Sequence, residues 1–318
     1  MYKGMIVADA HCDTVLRALD GHDLTREDPD CHIDLPKLRA GGVDLQVFAL
    51  WASASTVPKR SAERLLALLA EVSSLISSGS SFVAPARSCS DLEVNLSESK
   101  TSLVLAIEGA HCLAPGEGSI DLCHDIGVRL ITLCWNNSNW LATSAAQADT
   151  FAHGLTPLGR AAVRRMSQRG IIVDVSHASE RTFWDVAEVC DRPFIASHSC
   201  ARALQDHARN LDDEQIRAIA YANGIVGVNF CEAFLRSSPG ASIDDVIAHI
   251  EYILSLVGDN HVCFGSDFDG IPVGPEGLEN VSKLPSLVDR LLERGHTEAT
   301  VRKVAGENLL RVFREVCG

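Results

Sequence analysis

No stretch of this chain reaches the roughly 18 consecutive apolar residues of a membrane-spanning helix; its apolar runs are strand-length. The N-terminus, MYKGMIVADAH, leaves no room for a basic region and a long apolar stretch ahead of the first predicted strand, so no signal peptide is expected. Positive charge is scarce: 28 Lys and Arg stand against 42 Asp and Glu, a formal net charge of -14. That balance opposes nucleic-acid or anionic-membrane binding as the main activity. No CxxC pair occurs among the 11 scattered cysteines, an odd number that cannot pair completely within one chain. Buried free thiols and a cytoplasmic location are the corresponding expectations. Neither GxGxxG nor GxxxxGK follows the first strand, and no GxSxG elbow appears. These absences oppose a dinucleotide or phosphate loop and a serine nucleophile of the α/β-hydrolase kind.

What the chain does contain is strand–helix alternation. Apolar runs at Ile6–Ala10, Leu45–Trp51, Leu103–Ile107, Arg129–Cys134, Ile171–Val175, Phe194–Ser197, Ile225–Phe230 and Val262–Ser266 read as strands. Helical patterns lie between most of them, at Ser61–Ser77, Thr156–Gly170, Asp212–Gly224, Ser242–Gly258, Ser282–Gly295 and Thr297–Val316. Runs buried on both faces, repeated eight times with crossovers, mean a parallel sheet. The expectation is an α/β protein, a (β/α)8 barrel of the TIM type, forming one domain over residues 1–318. The dense basic run Arg160, Arg164, Arg165 and Arg169 falls on a predicted helix and reads as a solvated outer face.

The strand ends carry the chemistry. IVADAHCDT, SLVLAIEG, GIIVDVSH and PFIASHS each place a polar residue at or just beyond the end of an apolar run: His11 and Asp13, Glu108, His177 and His198. In a (β/α)8 barrel that face holds the active site. His11 and Asp13, two residues apart on extended chain, point to the same side, leaving Cys12 to packing. The economical arrangement is two divalent ions bridged by Glu108, one completed by His11 and Asp13 and the other by His177 and His198. Mixed nitrogen and oxygen ligands suit Zn2+ best, and such a pair can activate a water. Asp267, in FGSDFDG after the eighth strand, would stand over the same mouth and accept the proton. Asp269 is the weaker candidate. His111 and His153 fall in loops near the site, whereas His22, His32, His124, His207, His249, His261 and His296 read as surface or core residues.

These motifs resemble those of the renal (membrane) dipeptidase family, peptidase family M19, among the amidohydrolase-like metal-dependent barrels. The resemblance covers nearly the whole chain, from DAHCDT through HIDLPKLRAGGVDLQVFALW, AIEGAH, IIVDVSHAS, PFIASHS, HARNLDDEQIRAIA and GSDFDG to GENLLRVFREV. It implies a zinc-dependent dipeptidase, with L-Xaa-D-Xaa dipeptides among the substrates, and it suggests a homodimer. His11, Asp13, Glu108, His177 and His198 match the family's metal ligands, and Asp267 its proton-handling carboxylate. Arg209, in HARNLDD, matches the arginine that binds the carboxylate of a dipeptide. Where mammalian members carry a substrate-binding histidine after the fourth strand, this chain has Trp135, in ITLCWNNSNW. The competing readings are another hydrolase on the same barrel (a lactonase, phosphotriesterase or deaminase) and a non-catalytic metal-binding barrel. Many of the rival hydrolases use HxH and a modified lysine, where this chain has HxD and Glu108.

Overall fold

Runs of Val, Ile, Leu and Ala form the strands, as expected of segments that have no polar face to give to water. The computed structural model describes residues 4–52, 58–147 and 153–318. Its strands are β1 (Ala8–Cys12), β2 (Leu45–Trp51), β3 (Val83–Pro85), β4 (Thr101–Glu108), β5 (Val128–Thr132), β6 (Ile172–Asp174), β7 (Val226–Val228) and β8 (Val262–Phe264). All pair in parallel, in the order β6-β5-β4-β2-β1-β8-β7. The ring closes through a segment without a regular ladder: Ile195 bridges Asp174 of β6, and Ala196 bridges Val226 of β7. The result is a (β/α)8 barrel.

Two differences from the expected strands have physical causes. The segment Phe194–Ser197 survives only as those two bridges, because the Asp174 carboxylate takes the Ser197 N–H at 2.9 Å in place of a ladder carbonyl. The short β3 was not anticipated; it pairs only with Thr101–Leu103, at the start of β4. Close approach is needed around the irregular segment. A Cβ at Gly227 or Gly265 would fall 2.0 Å from the Ser197 carbonyl oxygen, so only glycine lets β7 and β8 close against it.

One buried cluster takes in Leu45, Val47, Val104, Ala106, Leu130, Ile172, Ile195 and Ile225 of the strands with Leu309, Leu310, Val312 and Phe313 of the last helix. That helix, Asn308–Cys317, lies against the N-terminal ends of the strands. Arg311 donates to the carbonyls of Asn223 and Asn260 there, and Asn308 to those of Asp259 and Val262. The opposite end, where the strands finish, is left for the site. A larger cluster, including Phe48, Leu50, Ile107, Ile131, Val163 and Ile216, joins strands to surrounding helices.

The helix signals act as their chemistry dictates. Thr156 caps Pro157–Arg169 by accepting from the Gly159 N–H, and Gly170 ends it in the left-handed conformation at φ 75°. Asp212 and Gln215 form the reciprocal capping box at the start of Asp213–Tyr221. On the outer face, Arg160 pairs with Asp185 and Glu188, Arg165 with Asp121, and Arg169 with Asp121 and Asp125. Among the described residues, no helix is long and apolar enough to cross a membrane. All 11 cysteines are free thiols.

Candidate active site

Each expected ligand emerges where its strand ends, and the barrel brings them together. His11, the fourth residue of β1, and Asp13, one past its end, stand with Nε2 and Oδ2 3.5 Å apart. Cys12 points the other way, fully buried, its thiol donating to the Val47 carbonyl. Glu108 is the last residue of β4, and its Oε1 lies 3.8 Å from His11 Nε2, 3.1 Å from His177 Nε2 and 3.5 Å from His198 Nε2. Asp267 Oδ1 is 3.8 Å from His11 Nε2. His11, Asp13 and Glu108 form one group of donor atoms, and Glu108, His177 and His198 a second, sharing the glutamate.

The hydrogen bonds behind the imidazoles fix which nitrogen faces inward. Ser197 Oγ donates to Asp174 Oδ2 at 2.6 Å, so towards His198 it accepts, at 2.7 Å, and His198 Nδ1 carries the proton. His177 Nδ1 donates to Asn136 Oδ1 at 3.0 Å. With these tautomers, assigned from the network, both Nε2 atoms present lone pairs, yet they stand 3.1 Å apart. Two lone pairs and a carboxylate oxygen at these distances repel one another unless a proton or a metal cation lies among them. His11 Nδ1, His11 Nε2 and Asp13 Oδ1 are likewise buried without a hydrogen-bond partner. The donor set therefore fits metal ions: three imidazoles, one shared carboxylate and one further carboxylate.

Electrostatics point the same way. Burial, with the Arg209 charge nearby, holds His177 and His198 well below the ordinary histidine range, keeping both in the neutral, ligating form. Burial, reinforced by Asp13, pushes Glu108 well above the usual carboxylate range. Burial lowers His11, but the charges of Glu108, Asp13 and Asp267 outweigh it and lift the imidazole to about 10. The carboxylates thus demand positive charge at the barrel mouth, and a protonated His11 is the only way the ligand set itself can supply it. Burial lifts Asp267 to about 6, against the pull of the His11 charge.

Two site residues sit in left-handed backbone, His177 at φ 67° and Asp267 at φ 62°. Such conformations cost on the order of 1–3 kcal/mol each and cluster where side chains must be aimed. Here they are over-determined: the His177 carbonyl accepts from Ala145 N–H, and Asn229 Nδ2 donates to Asp267 Oδ2 at 2.9 Å. Asp269, also at positive φ, has turned away. It accepts from Thr14 Oγ1, His32 N–H and Ile33 N–H, and so ties the loop after β8 to the loop after β1.

Arg209 reaches the same mouth from a loop, 12 residues beyond Ser197. Its guanidinium donates to the His198 carbonyl at 3.2 Å and lies 5.4 Å from the Phe234 ring, while its Nε is buried without a partner. Trp135 stands beside His177, ring centroids 6.2 Å apart. A cavity of about 680 Å³ connects Asp13, Glu108, His177, Asp267, Arg209 and Trp135. His153 is exposed, its carbonyl held by the Thr143 hydroxyl, and does not join them. His111 packs beneath Gly109, where a Cβ would come within 2.8 Å of its ring.

His207 is the histidine misjudged from sequence. Set aside from sequence with the other loop and helix histidines, it lines the cavity, and its Nδ1 accepts from the Arg209 N–H. Asp174, Ser197, Asn136 and Asn229, which orient the ligands and Asp267, were also missed. A signal existed for Asp174: a carboxylate inside the apolar run IIVDV needs partners to be buried.

The family model for membrane dipeptidase (peptidase family M19) matches residues 1–317. Dipeptidase aclJ of Aspergillus oryzae is 34% identical over 294 residues, 89% of this chain and 70% of its own. Dipeptidase tcpJ of Claviceps purpurea is 37% identical over 218 residues, 68% of this chain. The chain spans about half the length of tcpJ, 51%. Among solved structures, the M19 metallopeptidase dipeptidase AC superposes with a TM-score of 0.93 at 26% identity, covering 99% of both chains. A metallopeptidase from Rhodobacter sphaeroides, bound to a phosphinate mimic of the dipeptide L-Ala-D-Ala, gives 0.91 at 26% identity over 98% of this chain and 99% of its own. With a strand-end donor set of this kind and a family model matched from residue 1 to residue 317, this chain belongs to the membrane dipeptidase family, peptidase family M19.

Proposed function

We propose that this protein is a dinuclear, zinc-dependent dipeptidase, one catalytic barrel over residues 1–318 acting in the cytoplasm. The observation that carries the reading is the convergence of two imidazole lone pairs and one Glu108 oxygen within 3.1–3.5 Å. His11, Asp13 and Glu108 would hold one ion, and Glu108, His177 and His198 the other. When bound, such a pair polarises a scissile carbonyl and makes a water acidic enough to attack near neutral pH.

The chain's own residues supply the rest. Asp267, pinned at Oδ2 by Asn229, turns Oδ1 toward the ligand cluster, where it takes the proton of the attacking water and delivers it to the leaving amine. Arg209 holds the substrate's α-carboxylate with a guanidinium kept in place by the His198 carbonyl and Phe234. The carboxylates at the mouth favour the ammonium at the other end. A cavity that offers a guanidinium for one end and carboxylates for the other fits a dipeptide with both termini free. L-Xaa-D-Xaa peptides are included in the proposal, supported by the L-Ala-D-Ala mimic bound to the Rhodobacter sphaeroides relative. The cytoplasmic assignment rests on 11 unpaired thiols, a pattern of reducing compartments; fractionation of the source cells tests it.

The test of function is hydrolysis of dipeptides with free and with amidated C-termini. Arg209→Ala should raise KM for free dipeptides by about 10–100-fold, the worth of a charge-assisted hydrogen bond, with little change in kcat. Amidation should cost the wild type heavily and the variant little. Equal turnover of acid and amide by the wild type would remove the dipeptide reading in favour of a broader hydrolase.

A further inference from the structure

Trp51 ends β2 and Trp135 follows β5 by three residues, so the two flank Glu108 of β4 on one side of the barrel mouth. Their rings meet edge to face, centroids 4.9 Å apart at 64°. Both line the cavity. The pair is fixed in place. Arg64 sets its guanidinium 5.4 Å from the Trp51 ring and donates from Nε to the Trp51 carbonyl. Gly109, at φ 76°, lets Trp135 close in, since a Cβ there would lie 3.1 Å from the Trp135 Cβ. Trp51 Nε1–H is buried without a hydrogen-bond partner among the described residues, a donor left for something that enters.

Arg209, Cys231 and Phe234 face this wall from loops that follow the irregular segment and β7, across the barrel mouth. A dipeptide whose carboxylate lies on Arg209 and whose peptide bond lies over the ligand cluster must direct its first residue toward the tryptophans. We infer that Trp51 and Trp135 form a specificity wall selecting dipeptides whose N-terminal residue carries a large apolar or aromatic side chain. This rests on the proposed dipeptidase reading. Two fixed indoles offer such a side chain apolar surface and ring edges at small conformational cost. A glycyl or alanyl residue would leave that surface wet. A histidine at position 135 would offer a smaller, more polar surface.

The experiment is a panel of Xaa-Ala dipeptides, with Xaa as Gly, Ala, Leu and Phe, run on the metal-loaded wild type and on Trp135→Ala, Trp135→Phe and Trp51→Ala. The wild type should favour Phe-Ala and Leu-Ala over Gly-Ala by about 10-fold or more in kcat/KM, the scale of apolar-pocket discrimination. Trp135→Ala should cut that ratio at least about 5-fold, mainly through KM for the large substrates, and Trp135→Phe should retain most of it. Uncleaved phosphinate analogues of Phe-Ala and Gly-Ala, titrated calorimetrically, should show the same ratio in their Kd values. A wild-type ratio near one with dipeptides still cleaved would overturn the wall alone. So would a ratio that neither alanine variant changes. Failure to cleave any dipeptide would overturn the dipeptidase reading, and the wall with it.

Discussion

Replacing Asp267 with Asn lowers kcat on dipeptides by about 10²–10⁴-fold, the usual worth of a positioned general base, while ion content stays near that of the wild type. The expectation follows from place and partners. Asp267 stands 3.8 Å from His11 Nε2, outside the two donor groups that share Glu108 although it also clusters with His11 and His198, and Asn229 orients it from behind. An asparagine keeps the shape and can keep the contact with Asn229, but it cannot hold a proton. The pH profile carries the same signature. Burial lifts this carboxyl to about 6, so below that pH it is protonated and cannot accept; kcat/KM should rise with pH through an inflection at about 6, or below it once bound cations add their pull. The Asn variant should lose that limb. Wild-type turnover by Asp267→Asn would end the proton-transfer role; Asp269, the weaker candidate from sequence, is already committed to Thr14, His32 and Ile33.

Glu108→Gln should empty both metal positions together and take activity with them. One oxygen, Oε1, lies within 3.1–3.8 Å of the Nε2 atoms of His177, His198 and His11, so a single substitution weakens a ligand common to both groups. Glutamine preserves length and volume but removes the charge that offsets two cations in a buried site, and its amide nitrogen offers hydrogens where lone pairs are needed. His177→Ala should differ in kind, chiefly emptying the position it shares with His198. Ion content by elemental analysis separates the two outcomes. Retention of two ions and full activity by Glu108→Gln would remove Glu108 from the bridge.

The ligands were legible in the sequence because a buried parallel strand announces itself as an unbroken apolar run, and the first polar residue after it must lie at the barrel mouth. Glu108 obeys that rule outright; His11, His177 and His198 come two, three and one residues after a first polar residue, Asp9, Asp174 and Ser197. What was not legible depends on long-range closure. The run Phe194–Ser197 looks like any other strand, yet its ladder is partly replaced by the Asp174 side chain, a contact between residues 23 apart. Arg209 and His207 lie on a loop whose return to the mouth no local pattern encodes, so Arg209 came only from family resemblance and His207 was passed over. Trp51 reads as the last apolar residue of β2; only the register Trp51↔Glu108 sets it beside that glutamate. Of the missed helices, Val15–Leu19 and Glu232–Leu235 are five and four residues long, too short to show a periodicity; Cys89–Ser97 and Glu180–Val189 are longer and open on serine N-caps, a signal that was passed over.

The most direct measurement is the metal content of the gently purified chain, read by elemental analysis alongside its rate on a free dipeptide. A bridged site should give about two divalent ions per chain, with zinc foremost; a chelator should remove ions and activity together, and added zinc should restore both. A chain that cleaves dipeptides at full rate with one ion, or with none, would contradict the two-ion site built on Glu108.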